Sequence, residues 1–313
     1  MIAEISVITP HYQSRSLFST VDSVLAQSYP RIQYIIVVDG SKGFPPDKIR
    51  EYLRFHTLSN IRWQVIGLPQ NMGTVYALNR ALAQAEGEYI FNLADDDVFT
   101  STSVLEDWTQ YMVQKNAMFC TAKRRVVDGE NPENYNVEPS AGEIEKIERM
   151  TAKQLFDELA VRNFVFGSST AQSKECFRKF GNYDSQYRLT EDYPRVMKLL
   201  REGVRLDFFP QEVVSCQAEG ISSPKRILSL LDENECIFTN EILPYCAHPL
   251  LVRFKHWLWK FKTVRHGVFL ARFTQANTWC KKCLLYVQFP DGIYRMIRKA
   301  CRRSKNVEVH TID

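Results

Sequence analysis

Residues 89–97 of the chain read YIFNLADDD. A short, mostly apolar run is typical of a buried β-strand, and three adjacent carboxylates, Asp95, Asp96 and Asp97, come at the end of this one. Neighbouring carboxylates repel one another, which is costly unless solvent or a cation compensates their charge. The stretch therefore predicts a strand that delivers an acidic group to one edge of a sheet.

Similar apolar runs occur earlier, at residues 5–9 and 34–38, and apolar residues at helical spacing separate them. Apolar strands that alternate with helices are typical of parallel βαβ units with right-handed crossovers. Ligands of such sheets bind beyond the carboxyl ends of the strands. We therefore expect one crevice to collect Pro10, Asp39 and residues 95–97, which each follow a strand.

The rest of the chain has a mixed pattern. Helical spacing recurs at residues 152–161 and 193–202, whereas residues 128–148 are rich in Asn and Glu and predict an exposed loop. The 313 residues are 45% hydrophobic and 24% charged, as in a globular protein with a sizeable core. We expect an α/β domain over residues 1–222 and a helical region over residues 223–313.

The charge is distributed unevenly. Residues 250–313 contain 14 Lys and Arg against 3 Asp and Glu, whereas residues 1–249 contain 26 against 33. Aromatic residues interleave with the basic ones, as in helices that lie in a headgroup layer. We expect this tail to contact an anionic membrane surface, with packing on the domain or a homo-oligomer as the alternatives. Nucleic acid is not expected, because no recognised binding module accompanies the charge.

The sequence shows no segment typical of a signal peptide and no run of 18 apolar residues. Eight cysteines without such a signal indicate reduced thiols. These features predict a cytoplasmic protein, peripheral at the inner face of the cell membrane.

Three acidic groups are candidates for chemistry. Divalent cations such as Mg²⁺ take carboxylates, phosphate oxygens and water as ligands, which suits residues 95–97, although an acidic turn that caps a helix is the alternative. Asp39 is a candidate acceptor for a nucleobase or ribose, or for an Asx-turn with Gly40. Glu191 and Asp192 begin a predicted helix, where acidic residues also favour the macrodipole.

Several ordered segments resemble glycosyltransferase family 2, and the chain has no GxGxxG or GxxxxGK loop of the kind that dehydrogenases and P-loop proteins carry. The resembling segments are residues 5–12, 23–30, 35–41, 71–73, 85–90, 180–184 and 191–193, together with Asn79 and Gly203. The resemblance implies the GT-A fold, a Rossmann-like, mainly parallel sheet flanked by helices. It also implies a nucleotide-sugar-binding half over residues 1–100 and an acceptor-binding half over residues 101–222.

The resemblance further implies which residues form the site. The residues matched to the family's nucleotide-sugar contacts are Thr9, Pro10, Tyr12, Asp39, Asn79 and Asp95. The family's LDxDD motif reads LADDD at residues 93–97, so Ala94 replaces the first carboxylate. Asp96 is therefore the expected direct ligand of Mn²⁺ or Mg²⁺, assisted by Asp95 or Asp97, and Asp192 matches the family's base.

The reaction that this implies is a single in-line displacement with inversion. A sugar moves from a nucleoside diphosphate, with UDP the expected nucleotide, to a hydroxyl of a glycan or lipid-linked glycan in cell-surface polysaccharide or lipopolysaccharide synthesis. Asp192 would take the hydroxyl proton as that oxygen bonds to the anomeric carbon. A nucleotidyltransferase and a catalytically degenerate sugar-nucleotide-binding module are the alternatives.

Overall fold

The computed structural model describes residues 2–41, 43, 45–128, 131, 133–218 and 230–259. Its strands are β1 Ile5–His11, β2 Ile32–Asp39, β3 Ile61–Leu68, β4 Tyr89–Asn92, β5 Val98–Phe99, β6 Phe119–Val127, β7 Tyr135–Glu138, β8 Thr170–Ser173 and β9 Asp207–Gln217. Its helices are α1 Leu17–Leu25, α2 Pro46–His56, α3 Thr74–Leu82, α4 Val104–Lys115, α5 Ala141–Arg149, α6 Ala152–Val161, α7 Lys174–Phe180, α8 Asp192–Arg201 and α9 Leu231–Ile237. A π-helical turn, Phe238–Ile242, continues α9, and residues 249–259 are again helical.

The nine strands form one sheet in the order β3-β2-β1-β4-β8-β6-β9-β5, with β7 paired to β6. β1 to β4 pair in parallel, as the sequence predicts. β8 is antiparallel to both β4 and β6, and β6 is parallel to β9. The α/β class is confirmed, and the second half of the sheet is mixed. Because β8 reverses direction between β4 and β6, the carboxyl ends of β1, β2, β4 and β6 lie at the same edge.

Each face of the sheet is covered by its own hydrophobic core. Successive side chains of β2 alternate between the two cores: Ile35 and Val37 face one, and Tyr34, Ile36 and Val38 face the other. This follows from the alternation of side chains along a strand. A strand buried on both faces needs apolar residues at nearly every position, which is why β1, β2 and β4 are recognisable in the sequence.

The predicted loop over residues 128–148 is wrong in part, because it contains β7 and most of α5. The N-terminus of α5 is fixed by a capping box in which Ser140 and Glu143 bond to each other's backbone. Only one residue of this helix, Ile147, is buried. The apolar face of this nine-residue helix consists of little more than Ile144 and Ile147, so the helical spacing is too short to stand out in an acidic segment.

The described part of the C-terminal region packs on the α/β domain. Ile237, Phe238 and Ile242 are buried in the same core as α6 and α8. The compact unit accordingly extends from Met1 to His256, past the predicted boundary at residue 222. A second unit, Trp257–Asp313, lies almost wholly outside the described residues, as do most of the predicted basic helices. No described helix is both long and apolar enough to cross a membrane.

Gly87 lies two residues before β4, where the chain approaches β1 too closely for a side chain. A methyl group there would overlap the backbone of Ile5 and Ser6 in β1. We expect Gly87→Ala to lower the free energy of unfolding by about 1–3 kcal/mol, as other overpacked sites do. Gly142 in α5 has nothing within 4 Å, so Gly142→Ala should be neutral or stabilise by up to about 1 kcal/mol. Urea unfolding measures both, and a Gly87→Ala variant as stable as the parent would contradict the expectation.

Candidate active site

The loop that follows β1 is bonded to the acidic turn that follows β4. One carboxylate oxygen of Asp95, Oδ2, lies 2.7 Å from His11 Nδ1 and accepts the backbone N–H of Tyr12 at 3.0 Å. The Ser14 hydroxyl donates to the Asp95 carbonyl at 2.9 Å. Asp95 therefore ties two strand ends together, and one of its carboxylate oxygens is already engaged by the protein.

Three residues in or just after β1 are predicted to contact the nucleotide, and they differ in how exposed their side chains are. Thr9 is fully buried, and its hydroxyl accepts a hydrogen bond from Tyr34 at 3.2 Å, so it faces the core. Pro10 is half-buried within β1. Tyr12 is 47% exposed beside Asp95, so it is the side chain of this group that a planar ligand reaches most easily.

Asp39 and Asn79 both fix backbone segments. Asp39, at the end of β2, is buried and accepts the N–H groups of Met72 at 2.6 Å and Gly73 at 2.8 Å, immediately before α3. It does not form the predicted alternative, an Asx-turn with Gly40. The amide of Asn79 bonds in both directions to the backbone of Tyr183, at 2.9 and 3.1 Å. That Asp39 and Asn79 contact a nucleotide sugar remains a prediction.

Asp97 is buried in the acidic turn, whereas Asp95 and Asp96 are half-buried. Burial, reinforced by the charges of Asp96 and Asp95, raises the pKa of Asp97 to about 8, although Arg124 and a hydrogen bond from Ser168 act in the opposite direction. A group of carboxylates whose charges disfavour one another is one that a cation stabilises.

A metal held by the chain alone does not fit this turn. Among the described residues, no three His, Cys, Asp or Glu side chains are grouped to hold an ion. Mg²⁺ and Mn²⁺ are commonly held by one or two carboxylates, with the remaining positions filled by substrate phosphates and water. The acidic turn is compatible with that second arrangement, and Asp96 and the buried Asp97 stay the predicted ligands.

Asp192 begins α8 and is oriented through both of its carboxylate oxygens. Oδ2 accepts the N–H of Gly167 at 3.0 Å, and Oδ1 accepts its neighbour's N–H, that of Tyr193, at 2.7 Å. A side chain at position 167 would come 3.0 Å from Asp192 Cβ and 3.2 Å from Glu191 Oε1. A glycine is therefore what allows both carboxyl groups to approach this turn.

Glu191 differs from Asp192 in its protonation. Burial, together with the charges of Asp192 and Glu233, raises the pKa of Glu191 to about 8. Its carboxyl group thus retains a proton at neutral pH. Two adjacent carboxyl groups are in this way divided into a neutral acid and a partner held by two backbone donors.

A small cavity of about 10 Å³ lies behind the pair and is lined by Asn92, Gly167, Tyr183, Glu191, Asp192 and Arg195, among others. This volume accommodates one water molecule. Asn92 donates to the Tyr183 hydroxyl at 2.6 Å, and its own Oδ1 is buried without a partner among the described residues. Sequence reasoning missed Asn92 and Gly167; the only sign of Asn92 is a polar residue inside an apolar strand.

The two predicted acidic groups are joined by consecutive residues. A single 3₁₀ turn, Gly167–Ser169, donates from the Gly167 amide to Asp192 and from the Ser168 hydroxyl to Asp97. β8 begins directly after this turn and pairs with β4. The structure thus brings the predicted metal ligand and the predicted base to one turn, although they lie 95 residues apart in the sequence.

Relatives of the chain include named glycosyltransferases. TuaG of Bacillus subtilis, a glycosyltransferase assigned to teichuronic acid biosynthesis, is 36% identical over 116 residues, which are 37% of this chain and 44% of TuaG. A poly-β-1,6-N-acetyl-D-glucosamine synthase of Staphylococcus epidermidis is 28% identical over 194 residues, which are 60% of this chain and 43% of the synthase. The chain thus spans less than half the length of these two relatives.

Solved structures share the fold. The crystal structure of S. aureus TarS 1-349 in complex with UDP-GlcNAc has a TM-score of 0.59 at 17% identity and covers 87% of this chain and 76% of that one. A mannosyltransferase of Pyrobaculum calidifontis in complex with GDP-Man and Mn²⁺ has a TM-score of 0.60 at 14% identity and covers 96% and 85%. These likenesses confirm the expected GT-A architecture.

A family model matches more than half of the chain. The family model for glycosyl transferase family 2 matches residues 6–181, from β1 through the acidic turn and Gly167 to the end of α7. The predicted family and enzyme class are confirmed: the chain belongs to glycosyltransferase family 2.

Proposed function

We propose that the enzyme transfers a sugar from a nucleoside diphosphate donor to an acceptor hydroxyl by a single displacement with inversion. The observation that carries the proposal is the turn at residues 167–169, which bonds to both Asp97 and Asp192. A donor diphosphate at the acidic turn would therefore have its anomeric carbon close to a carboxylate that is able to take a proton.

Asp192 is the proposed base. As the acceptor oxygen bonds to the anomeric carbon and the bond to the diphosphate breaks, the hydroxyl proton passes to a carboxylate oxygen of Asp192. Its two backbone donors, Gly167 and Tyr193, fix the direction of that carboxylate. Burial raises the pKa of Glu191, so its carboxyl group is less readily ionised than that of an exposed glutamate.

Asp96 and Asp97 are the proposed protein ligands of Mn²⁺ or Mg²⁺. When bound, such an ion offsets negative charge on the departing diphosphate. Tyr12, Asp39 and Asp95 are the proposed contacts for the nucleoside, and Thr9, Pro10 and Asn79 match the family's further nucleotide-sugar contacts. UDP is the expected nucleotide, in keeping with the UDP-GlcNAc complex of S. aureus TarS, although the P. calidifontis enzyme was solved with GDP-Man.

The proposed acceptor is a growing glycan or lipid-linked glycan of a cell-surface polysaccharide. The names of two relatives support it, since one is assigned to teichuronic acid biosynthesis and another synthesises poly-β-1,6-N-acetyl-D-glucosamine. Sugar-nucleotide binding without transfer is the second candidate, and Ala94 in place of the family's first carboxylate favours it. Transfer from radiolabelled UDP-, GDP- and dTDP-sugars, with and without Mn²⁺, distinguishes the two.

Removal of the proposed metal ligand should abolish turnover. We expect Asp96→Ala to lose transfer by about 10²-fold or more while remaining folded, because the residue is half-buried at the edge of the sheet. EDTA should abolish the activity of the parent, and added Mn²⁺ or Mg²⁺ should restore it. Full activity of Asp96→Ala, with an unchanged circular dichroism spectrum, would refute the assignment.

Replacement of the base should separate binding from transfer. Asp192→Asn keeps the size of the side chain but removes the proton acceptor, so transfer should fall by about 10²-fold or more while UDP still binds. Glu191→Gln is the matched control, because glutamine resembles the protonated acid, and it should keep transfer within a few-fold of the parent. The opposite result for the two variants would move the base to Glu191.

The proton on Glu191 also predicts a pH dependence of stability. Its pKa is about 8 in the folded protein against a usual value of 4.5, so the folded state binds more protons between these pH values and loses stability as the pH rises through them. Glu191→Gln removes that loss. The Tm of the variant relative to the parent should therefore increase from pH 5 to pH 8, and a constant difference would contradict the protonated state. The pKa of Asp97 is also raised, but Asp97 is present in both the parent and the variant, so its effect cancels in the comparison.

The C-terminal region is the proposed membrane contact. Most of it lies outside the described residues. The helical segment at residues 249–259 is described, and on it Leu250 is 82% and Phe254 55% exposed. Val252 on the same segment is buried in the core of the domain. Basic residues Arg253 and Lys255 lie between the exposed apolar ones, as in a helix at a headgroup layer.

Liposome flotation of the full-length protein tests this contact. Binding should increase with anionic lipid and weaken with salt, because charges on both surfaces are screened. A Leu250→Ser/Phe254→Ser variant should float less than the parent. An equal distribution of both proteins, or no flotation by either, would leave packing or oligomerisation as the role of the region.

A further inference from the structure

The loop that precedes Asp192 is held by a carboxylate from the C-terminal region. Glu233 of α9 accepts the backbone N–H groups of three successive residues: Arg188 at 3.0 Å, Leu189 at 3.0 and 3.1 Å, and Thr190 at 2.9 Å. Residues 188–190 belong to no helix or strand. Hydrogen bonds to an ionised acceptor are about twice as strong as those between neutral groups, so Glu233 is a strong restraint on this loop.

The element that carries Glu233 is itself fixed on the domain. Glu241, in the π-helical turn that continues α9, accepts from Arg201 of α8 at 3.0 Å. The ring of His256 stacks on that of Phe238 at a centroid distance of 3.7 Å and an interplanar angle of 4°. These contacts anchor α9 on the domain separately from the bonds that Glu233 makes to the loop.

The opposite side of the loop contacts the donor half. The carbonyl of Arg188 accepts the N–H of Val75 in α3 at 3.2 Å, and its guanidinium bonds to Asn71. The absence of a side chain at Gly73 leaves the space that Arg188 occupies. The loop is therefore clamped between α9 on one side and, on the other, the backbone segment that Asp39 also binds.

We infer that Glu233 is a positioning residue for Asp192: its bonds to the amides of residues 188–190 hold the base-bearing loop in register with the donor half. The inference rests on the proposed role of Asp192. It assigns to the helical region after residue 222 a part in turnover that is separate from any membrane contact. Titratable groups that interact electrostatically with Asp192 are Glu191, Tyr183 and Tyr193, and Glu233 interacts in turn with Glu191.

Three full-length variants test the inference: Glu233→Ala, Glu233→Gln and, as a matched control on the same helix, Glu235→Gln, whose carboxylate contacts His256 instead of the loop. We expect Glu233→Ala to lower kcat by about 10- to 100-fold, the size of effect that small misplacements of a reacting group produce. KM for the donor should change by less than about 3-fold. Glu233→Gln keeps one acceptor oxygen and should lie between the alanine variant and the parent, and the control should match the parent.

Hydrogen–deuterium exchange supplies a readout that does not depend on activity. The amides of Leu189 and Thr190 should lose protection in Glu233→Ala but not in Glu235→Gln, while peptides from the sheet exchange as in the parent. If Glu233→Ala does not fold, the same comparison is made with Glu233→Gln, in which faster exchange at residues 188–190 is expected.

The outcomes separate this inference from the proposed function. Unchanged kcat and unchanged loop protection in a folded Glu233→Ala variant would overturn the positioning role. Lost protection with kcat unchanged would overturn it as well, because the loop would then be ordered without benefit to turnover. If Asp192→Asn retains transfer, the proposed base fails, and exchange at residues 188–190 still decides whether Glu233 orders the loop.

Discussion

The geometry of the crevice depends on the hydrogen bonds of one short turn. Gly167 and Ser168 are consecutive, so the carboxylates that they bind, Asp192 and Asp97, are linked through two covalently joined residues. Consecutive Cα atoms are fixed about 3.8 Å apart, which limits how far the two groups can separate. Since β8 starts at the next residue and pairs with β4, the register of the sheet sets where both carboxylates stand.

The crevice gathers more carboxyl groups than it can keep charged. Asp97 and Glu191 both have a pKa raised to about 8, which leaves each of them protonated at neutral pH in the absence of a cation. An anionic diphosphate meets less repulsion in such a site than the number of acidic residues implies.

The sequence was sufficient for the half of the fold that is buried on both faces. β1, β2 and β4 are continuous apolar runs, so they and their parallel pairing were predictable. The roles of Asp96, Asp97 and Asp192 come from family motifs and stay predictions. The remaining features depend on contacts between distant residues, which leave no local pattern. Asn92 hydrogen-bonds to Tyr183, which lies 91 residues away in the sequence. Glu233 hydrogen-bonds to loop amides that lie 43 to 45 residues away. The motif residue Thr9 likewise matches the family, although its hydroxyl bonds to Tyr34 inside the core.

The position of Glu233 has a consequence for biosynthesis. Domains fold as the chain emerges from the ribosome, with N-terminal parts first. When β9 has emerged, every motif carboxylate is already present, but the acceptor for the amides of residues 188–190 has not yet been made. Those amides remain hydrated until α9 docks. The crevice is therefore completed late in synthesis, and a nascent or prematurely terminated chain carries the family's motifs without the restraint on its base-bearing loop.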